Sequence, residues 1–444
     1  MPRKLTSAHL ASALQGVPSR ELALKMTALI RAGTIPVGTG LPPLRDLADA
    51  LGISPSTLSS AWSELRRQHL IAGRGRQGMW VCDDKPSQRP ARFANVGNFG
   101  RMIVTDLTYA APDPALLPDL APALAQGMRT PELNSYRRSP ITPALEAAAR
   151  RHWPGEPEAF MATNGGFEAI HLTLQALLPP GATVAIEDPT TARLLDIVEQ
   201  LGFKPLPVTC DAEGPEPQAL SQALLQRPAA VLFQPRTHAV TSHCITPRRR
   251  RALAQVLAGS DGWVIEDDGI GAASATQAWS LAQDLPGRVI HIRSLSKSHG
   301  PDLRLAILAG AGDVVRRIQD VRSFTSGWTS RVLQDAAAWM LDDPATGHRI
   351  AEACARHNAR RQALMRRLSE RGIEVRGDDG LSVWIPVPSE QYAVVTMAVR
   401  GWAVFPGARF GIGPTSHIRV ATSTLRDSDM DALAEAIDIS RQPL

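Results

Sequence analysis

The strongest constraint in this sequence is an alternation, over residues 144–292, of short apolar runs with longer amphipathic ones. Residues 160–163, 183–186, 205–208, 230–233, 263–265 and 289–292 read as strands. Between them, 167–178, 192–201, 217–226 and 247–258 carry apolar side chains at helical spacing. A strand followed by a helix can rejoin its sheet only through a crossover, so this order dictates a mostly parallel sheet with helices on both faces. Such a sheet binds ligands beyond the carboxyl ends of its strands.

A chain of 444 residues is long enough for two or three domains, and 44% hydrophobic with 20% charged residues is ordinary for a globular protein. Cys82, Cys210, Cys244 and Cys354 are too scattered for a disulfide framework or a metal site, and no metal is expected. The first residues lack the apolar run of a signal peptide, and no stretch approaches eighteen consecutive apolar residues. A cytoplasmic protein with no membrane partner is expected. Charge is unevenly placed: residues 1–90 hold nine Arg and three Lys against four Asp and two Glu, while the whole chain carries +5. A polyanion partner is therefore expected for that first part.

Within it, 21–30 is helical, and the run LPPLRDLADALG places Leu44, Leu47, Ala48 and Leu51 on one face before Gly52 stops the helix. Ser54 can cap a second helix with Pro55 at its first position and Leu58, Ala61, Trp62 and Leu65 facing inward. Two short helices joined by a tight turn form a helix-turn-helix, whose second helix would present Ser54, Ser56, Thr57 and Ser59 to a groove. Residues 70–72 and 79–81 flank GRGRQG as a two-stranded wing. Arg74 and Arg76 there suit phosphates or a minor groove, the alternative being a solvated hairpin tip. Over residues 15–82 the sequence resembles the GntR-type winged-helix DNA-binding domain, through LPPLRDLADALGISPSTLSSAWSELRRQHLIAGRGRQGMWV. The resemblance puts Arg45 in contact with DNA; Pro55 and Ser59 depart from the family pattern.

Residues 83–105 have linker composition. Beyond them, three features lie at strand ends. Asn164-Gly165-Gly166 opens a helix and can turn its amides toward an anion, though many ordinary turns look the same. Glu266-Asp267-Asp268 follows an apolar strand, where a carboxylate can pair with a protonated ring nitrogen, cap a helix or join an acidic metal cluster. Lys297, in Ser294-Leu295-Ser296-Lys297, lies thirty residues beyond Asp267, with Arg304 following. An amine there suits a Schiff base with an aldehyde cofactor, and Ser294, Ser296 and Arg304 suit a phosphate; the alternative is a solvated loop lysine beside a salt-bridging arginine.

This order resembles the fold type I pyridoxal-phosphate enzymes of the aspartate aminotransferase kind, over residues 107–440. The resemblance implies an α/β large domain (106–330) and a small α+β C-terminal domain (331–444), after the winged helix (1–82) and linker (83–105). The small domain would use strands at 373–375, 381–385 and 418–420, an arginine-rich helix at 348–370 with a solvated basic face, and a final helix at 427–439. The resemblance further implies pyridoxal 5'-phosphate held by Gly165, Gly166, Asp267, Ser294, Ser296, Arg304 and covalently by Lys297, with Tyr136 reaching across a homodimer. It makes Arg419 the clamp for an effector's carboxylate, the alternative being a strand-edge salt bridge. Four positions depart: Thr191 and Gly269 stand where the family has an aromatic and a tyrosine, and Val240 and Ser242 replace a proline and a glycine. His238 and Arg236 are the polar residues left nearby to replace lost contacts.

The two halves together resemble the MocR/PdxR subfamily of GntR-type regulators. The expectation is a transcriptional regulator that senses pyridoxal phosphate or a small amine and alters operator binding, without physiological turnover. Its rivals are a working aminotransferase with an appended DNA-binding domain and a cofactor-free scaffold.

Overall fold

The computed structural model describes residues 5–15, 21–31, 34–36, 38–67, 70–73, 78–82, 92 and 105–442, and the chain divides into two compact units, Met1–Arg89 and Pro90–Leu444. In the first unit α1 (Ser7–Leu14), α2 (Leu22–Arg31), β1 (Gly40–Leu41), α3 (Leu44–Leu51), α4 (Pro55–Arg67), β2 (Ile71–Gly73) and β3 (Met79–Val81) follow in order. Gly52 ends α3 with φ 66, a left-handed conformation that suits glycine. The amphipathic faces of α3 and α4 then meet: Leu47, Ala48, Leu58, Trp62 and Leu65 are buried with Leu10 and Met26 in one core. The structure adds two elements to the sequence reading. Helix α1 packs on α3, and β1 pairs with β3, giving a three-stranded sheet of order β1-β3-β2 where a two-stranded wing was expected. Two residues are too few to show a strand period.

The second unit begins with β4 (Thr105–Asp106), α5 (Leu120–Gly127), α6 (Pro143–His152), β5 (Ala159–Thr163), α7 (Gly166–Leu177), β6 (Thr183–Asp188) and α8 (Ala192–Gln200). Next come β7 (Lys204–Asp211), β8 (Gly214–Pro215), α9 (Pro217–Leu224), β9 (Ala230–Phe233), α10 (Pro247–Ala258), β10 (Trp263–Asp268), β11 (Val289–Ser294), β12 (Ala306–Gly310), α11 (Gly312–Arg322) and α12 (Arg331–Asp342). The chain closes with α13 (Pro344–Ser369), β13 (Ser382–Pro386), α14 (Glu390–Val399), β14 (Trp402–Ala403), β15 (Phe405–Pro406), β16 (His417–Ala421) and α15 (Met430–Ser440).

The central sheet has eight strands in the order β5-β12-β11-β10-β9-β6-β7-β8. Its middle, from β7 to β11, is parallel as the alternation demands. Strand β12 runs antiparallel to both β11 and β5. Apolar residues of the parallel strands alternate between a core under α7, α8 and α11 and another under α9 and α10.

Three features of the structure were not visible in the sequence. Ala336, Ala337 and Met340 of α12, which lies past the expected break at 330/331, share a core with α5 and α6. Strand β4 pairs with β14, and Leu107 enters the core built by α13, β13, β16 and α15. The small domain thus includes the start of the unit. Residues 373–375 form no strand, although Ile373 is fully buried; their one apolar anchor is met by packing without a ladder.

Candidate functional site

Strand β5 ends at Thr163, and the chain turns through Asn164 and Gly165 into α7. Gly165 has φ 107, and a Cβ there would lie 3.2 Å from the Arg304 Nη2 atom. A Cβ on Gly166 would meet the Ser294 Cβ at 3.5 Å and an Asp267 carboxylate oxygen at 4.0 Å. Residues from four stretches of the chain thus converge on one helix N-terminus. Arg304 is itself left-handed, with φ 47, and its Nη2 donates to the Asn164 carbonyl at 3.1 Å. The free amides and dipole of α7, with one guanidinium, form a cup for an anion. Ser294 and Ser296 belong to the same turn, the Ser296 amide donating to the Ser294 hydroxyl at 3.3 Å.

Asp267 borders this cup, and Lys297 lies near enough for the two charges to act on each other. In β10, Glu266 and Asp268 point to one face and Asp267 to the other, because successive strand residues alternate. Glu266 accepts from the Ser280 hydroxyl at 2.6 Å, the Leu281 amide at 2.7 Å and the His291 Nδ1 at 2.6 Å. Asp268 accepts from Arg236 at 2.8 Å and Arg293 at 3.1 Å. Against burial, His291 and these two guanidinium groups hold its carboxyl well below the usual range. The three carboxylates are therefore no common cluster. Burial pushes the Asp267 carboxyl up to about 7, opposed by the Lys297 ammonium. Burial likewise pulls the Lys297 ammonium down to about 8, opposed by Asp267 and reinforced by the Arg419 charge. Displacements of this kind are what buried functional groups show, which makes the two residues candidates for the site's chemistry.

Arg419 stands on β16, opposite Trp384 and Phe405 in the small-domain sheet. Its guanidinium lies 4.5 Å from the Phe410 ring centre and 5.5 Å from that of Phe405, and it donates to the Thr108 carbonyl. The Nε has no hydrogen-bond partner, and burial alone pulls the group down to about 9. No described carboxylate pairs with it, which removes the salt-bridge alternative among the described residues.

The departures also have structural settings. The Thr191 hydroxyl lies 3.5 Å from the Gln234 side-chain nitrogen, and a Cβ on Gly269 would lie 3.2 Å from an Asp267 oxygen. Arg236 turns to Asp268 and the Gly271 carbonyl, so it is committed away from Asp267. His238 accepts from the Thr241 amide at 3.1 Å through Nδ1, lies 3.8 Å from Glu187, and is held neutral by burial, which pulls it down to about 3. Ser242 keeps the positive φ of a glycine, 62, and donates to the Ser382 carbonyl at 2.6 Å.

Sequence reasoning missed Asp379. Its buried carboxylate accepts from Ser274 at 2.6 Å, the Ala275 amide at 2.7 Å and Thr237 at 3.3 Å, joining the small domain to loops of the large one. No local pattern marks it, since its partners lie over a hundred positions away in sequence. Tyr136 is not brought to Lys297 within the chain; it is 89% exposed, with its ring 6.2 Å from Trp328.

In the winged unit, the Ser54 hydroxyl accepts the Thr57 amide at 3.1 Å and lies 2.8 Å from the Ser56 and 2.7 Å from the Thr57 hydroxyls. It is a helix cap first. Arg45 and Ser56 are exposed and Ser59 half-buried. Arg74, Arg76 and all of 83–105 except Arg92 and Thr105 lie outside the described residues.

The folds and site define a DNA-binding winged helix joined to an aminotransferase-like domain. The family model for aminotransferase class I and II matches residues 103–437, and that for bacterial regulatory proteins of the gntR family matches 18–81. The chain belongs to the GntR-type transcriptional regulators that carry a class I and II aminotransferase domain. It is 34% identical over 431 residues to the vitamin B6 salvage pathway transcriptional repressor PtsJ of Salmonella typhimurium, covering 96% of this chain and 98% of that one. It is 26% identical to the transcriptional regulator TauR of Rhodobacter capsulatus, covering 91% and 92%. In fold it resembles Pyrococcus horikoshii kynurenine aminotransferase, with a TM-score of 0.70 at 21% identity over 76% of this chain and 91% of that one. No described helix is long and apolar enough to cross a membrane.

Proposed function

We propose that the aminotransferase-like domain is a sensor that holds pyridoxal 5'-phosphate and changes the operator affinity of the winged helix. The observation that carries this reading is the convergence of Asp267, Ser294 and Arg304 on the N-terminus of α7, with Lys297 near enough to Asp267 for each charge to act on the other. The residues fit the group. Gly165, Gly166, Ser294, Ser296 and Arg304 would hold its phosphate, Asp267 its ring nitrogen and Lys297 its aldehyde carbon. When bound, the cofactor supplies an aldehyde that condenses reversibly with primary amines, next to an electron-withdrawing ring.

The protein's own part is to keep the Lys297 amine neutral enough to add to the aldehyde, and to keep a proton available at Asp267 for the ring. Arg419, with no carboxylate of its own, would meet the acid group of an effector amine. Gly269 and Thr191 contribute neither phenol nor stacking ring, so control of the ring's electronics is weaker than its attachment. Sensing is favoured over turnover on that ground. The likeness to a repressor of vitamin B6 salvage favours the cofactor itself as the signal, with an amino acid as the competing effector. The working unit would be a homodimer, in keeping with the exposed Tyr136 and the 92% exposed Phe324. We place the divisions of the chain at 1–82, 83–104 and 108–342, with residues 105–107 and 343–444 together forming the last part.

The test is one titration. Purified protein is given pyridoxal phosphate, then candidate amino acids, while the visible absorption band and affinity for a selected operator duplex are followed together. The two should move in concert, and Lys297→Ala should lose both responses; a wild-type band that changes without any change in affinity would sink the proposal.

A further inference from the structure

Glu168 stands in the first turn of α7, beside the cup. A carboxylate at that position ordinarily turns back on its own helix and takes one of the free amides there. This one reaches past them. Its two oxygens accept from the Asn164 backbone amide and, at 3.0 Å, from the Asn164 side-chain nitrogen. Asn164 precedes the helix, so the amides of Gly165, Gly166 and Phe167 are left with no described acceptor and stay open to an anion. On its other side the carboxylate meets a fixed cation. The Arg322 guanidinium, 0% exposed, lies 3.7 Å away and donates to the Ala162 carbonyl, to the Thr329 hydroxyl at 2.6 Å and to the Ser326 hydroxyl at 3.2 Å.

Asn164 is thereby held from both sides. Glu168 takes its N–H and its side chain, while its carbonyl accepts from the Arg304 Nη2 at 3.1 Å. Gly165, which follows at φ 107 and has no side chain, does not set the direction of that carbonyl by itself. Arg304 is exposed, and the Asn164 carbonyl is the one described acceptor its guanidinium has. We propose that Glu168 is a positioning residue of the cup: by fixing Asn164 it aims the carbonyl that keeps the Arg304 guanidinium beside Gly165, ready for a phosphate. The ring and the aldehyde of the ligand are met elsewhere, by Asp267 and Lys297. Glu168 therefore governs how strongly the site distinguishes a phosphorylated ligand from the same ligand without its phosphate, and leaves capture of the aldehyde alone.

This inference rests on the proposed cofactor site, and its test separates the two. Full-length wild type, Glu168→Ala, Glu168→Gln, Arg304→Ala and the Glu168→Ala, Arg304→Ala double variant are stripped and titrated with pyridoxal phosphate and with pyridoxal, which keeps the ring and aldehyde and lacks the phosphate. Fluorescence and the visible band report both affinities. Wild type should prefer the phosphorylated form by at least about a hundredfold. Glu168→Ala should cut that preference about tenfold, the worth of one charge-assisted hydrogen bond, with the affinity for pyridoxal unchanged to within about twofold. Glu168→Gln can still accept from the Asn164 amide and pair with its side chain, so the preference should return to within about threefold of wild type. That rescue separates the aiming of Asn164 from the pairing with Arg322, which both variants lose. In the Arg304→Ala background, Glu168→Ala should change the preference less than about twofold, because the group it acts through is gone. Equal losses for the two aldehydes, an unchanged preference, a glutamine variant as weak as the alanine one, or a full further drop in the double variant overturn the inference. A wild type that binds both aldehydes equally overturns it too, and one that binds neither overturns the cofactor site with it.

Discussion

Replacing Arg419 by methionine should stabilise the stripped protein while abolishing its response to carboxylate effectors. The guanidinium is 5% exposed, has no described carboxylate partner and is pulled down to about 9 by burial alone. A displacement of that size means that holding the charge there costs on the order of 5 kcal/mol. Part is offset by one hydrogen bond to the Thr108 carbonyl, about 1.5–3 kcal/mol, and by the two ring contacts, about 0.5–1 kcal/mol each. What remains is a net cost of roughly 0–3 kcal/mol, which an apolar chain of similar length would relieve. Methionine would keep the contacts with Phe405 and Phe410 through its sulfur. In calorimetry of protein stripped of cofactor, the melting temperature of the larger unit should hold or rise by a few degrees. The visible band should form normally with pyridoxal phosphate, whereas its perturbation by amino acids should need at least about a hundredfold more ligand. A fall in melting temperature of several degrees would refute the reasoning, because it would show that the charge is a structural partner and not a waiting one.

The pH dependence of cofactor capture gives a second test. Only the neutral Lys297 amine adds to an aldehyde, and its ammonium is pulled down to about 8. Stopped-flow rates on stripped protein should rise about fivefold from pH 7 to 8 and less than twofold from 8 to 9, whereas an ordinary lysine would still gain tenfold per unit there. Gly165→Ala forces a side chain into φ 107 and within 3.2 Å of Arg304, so cofactor affinity, read by fluorescence, should fall at least about tenfold; unchanged affinity would remove the cup from the site. Asp379→Ala takes the acceptor from the Ala275 amide and the Ser274 hydroxyl, leaving the latter only its contact with Thr237, and the urea midpoint of the larger unit should report a loss of about 3 kcal/mol; a loss under about 1 kcal/mol would deny the carboxylate its joining role.

Much of this protein is written locally. Each strand and helix of the parallel core carries its own period, and the helix-turn-helix carries caps at Ser54 and Gly52 that work within four residues. Those signals determined both folds and the order of Gly165, Asp267, Lys297, Arg304 and Arg419 along the chain. Strands β1 and β12 escaped because one is two residues long and the other directly follows the lysine loop.

The tertiary structure alone decided what each charge faces. Residues Glu266 to Asp268 are equivalent acids in the sequence, yet the pleat turns one toward Lys297 and gives the others to His291, Arg236 and Arg293. Arg236 looked free to serve the site and is occupied elsewhere; Arg419 looked as able to sit in a salt bridge, and no described carboxylate pairs with it. Asp379 gave no sign at all, because the loops it joins lie over a hundred positions away. A residue's period is a property of its neighbours in the chain, whereas its burial and its partners are properties of the fold. Displaced proton affinities and long-range clamps belong to the second kind, and they are what turn a recognisable domain into a candidate sensor.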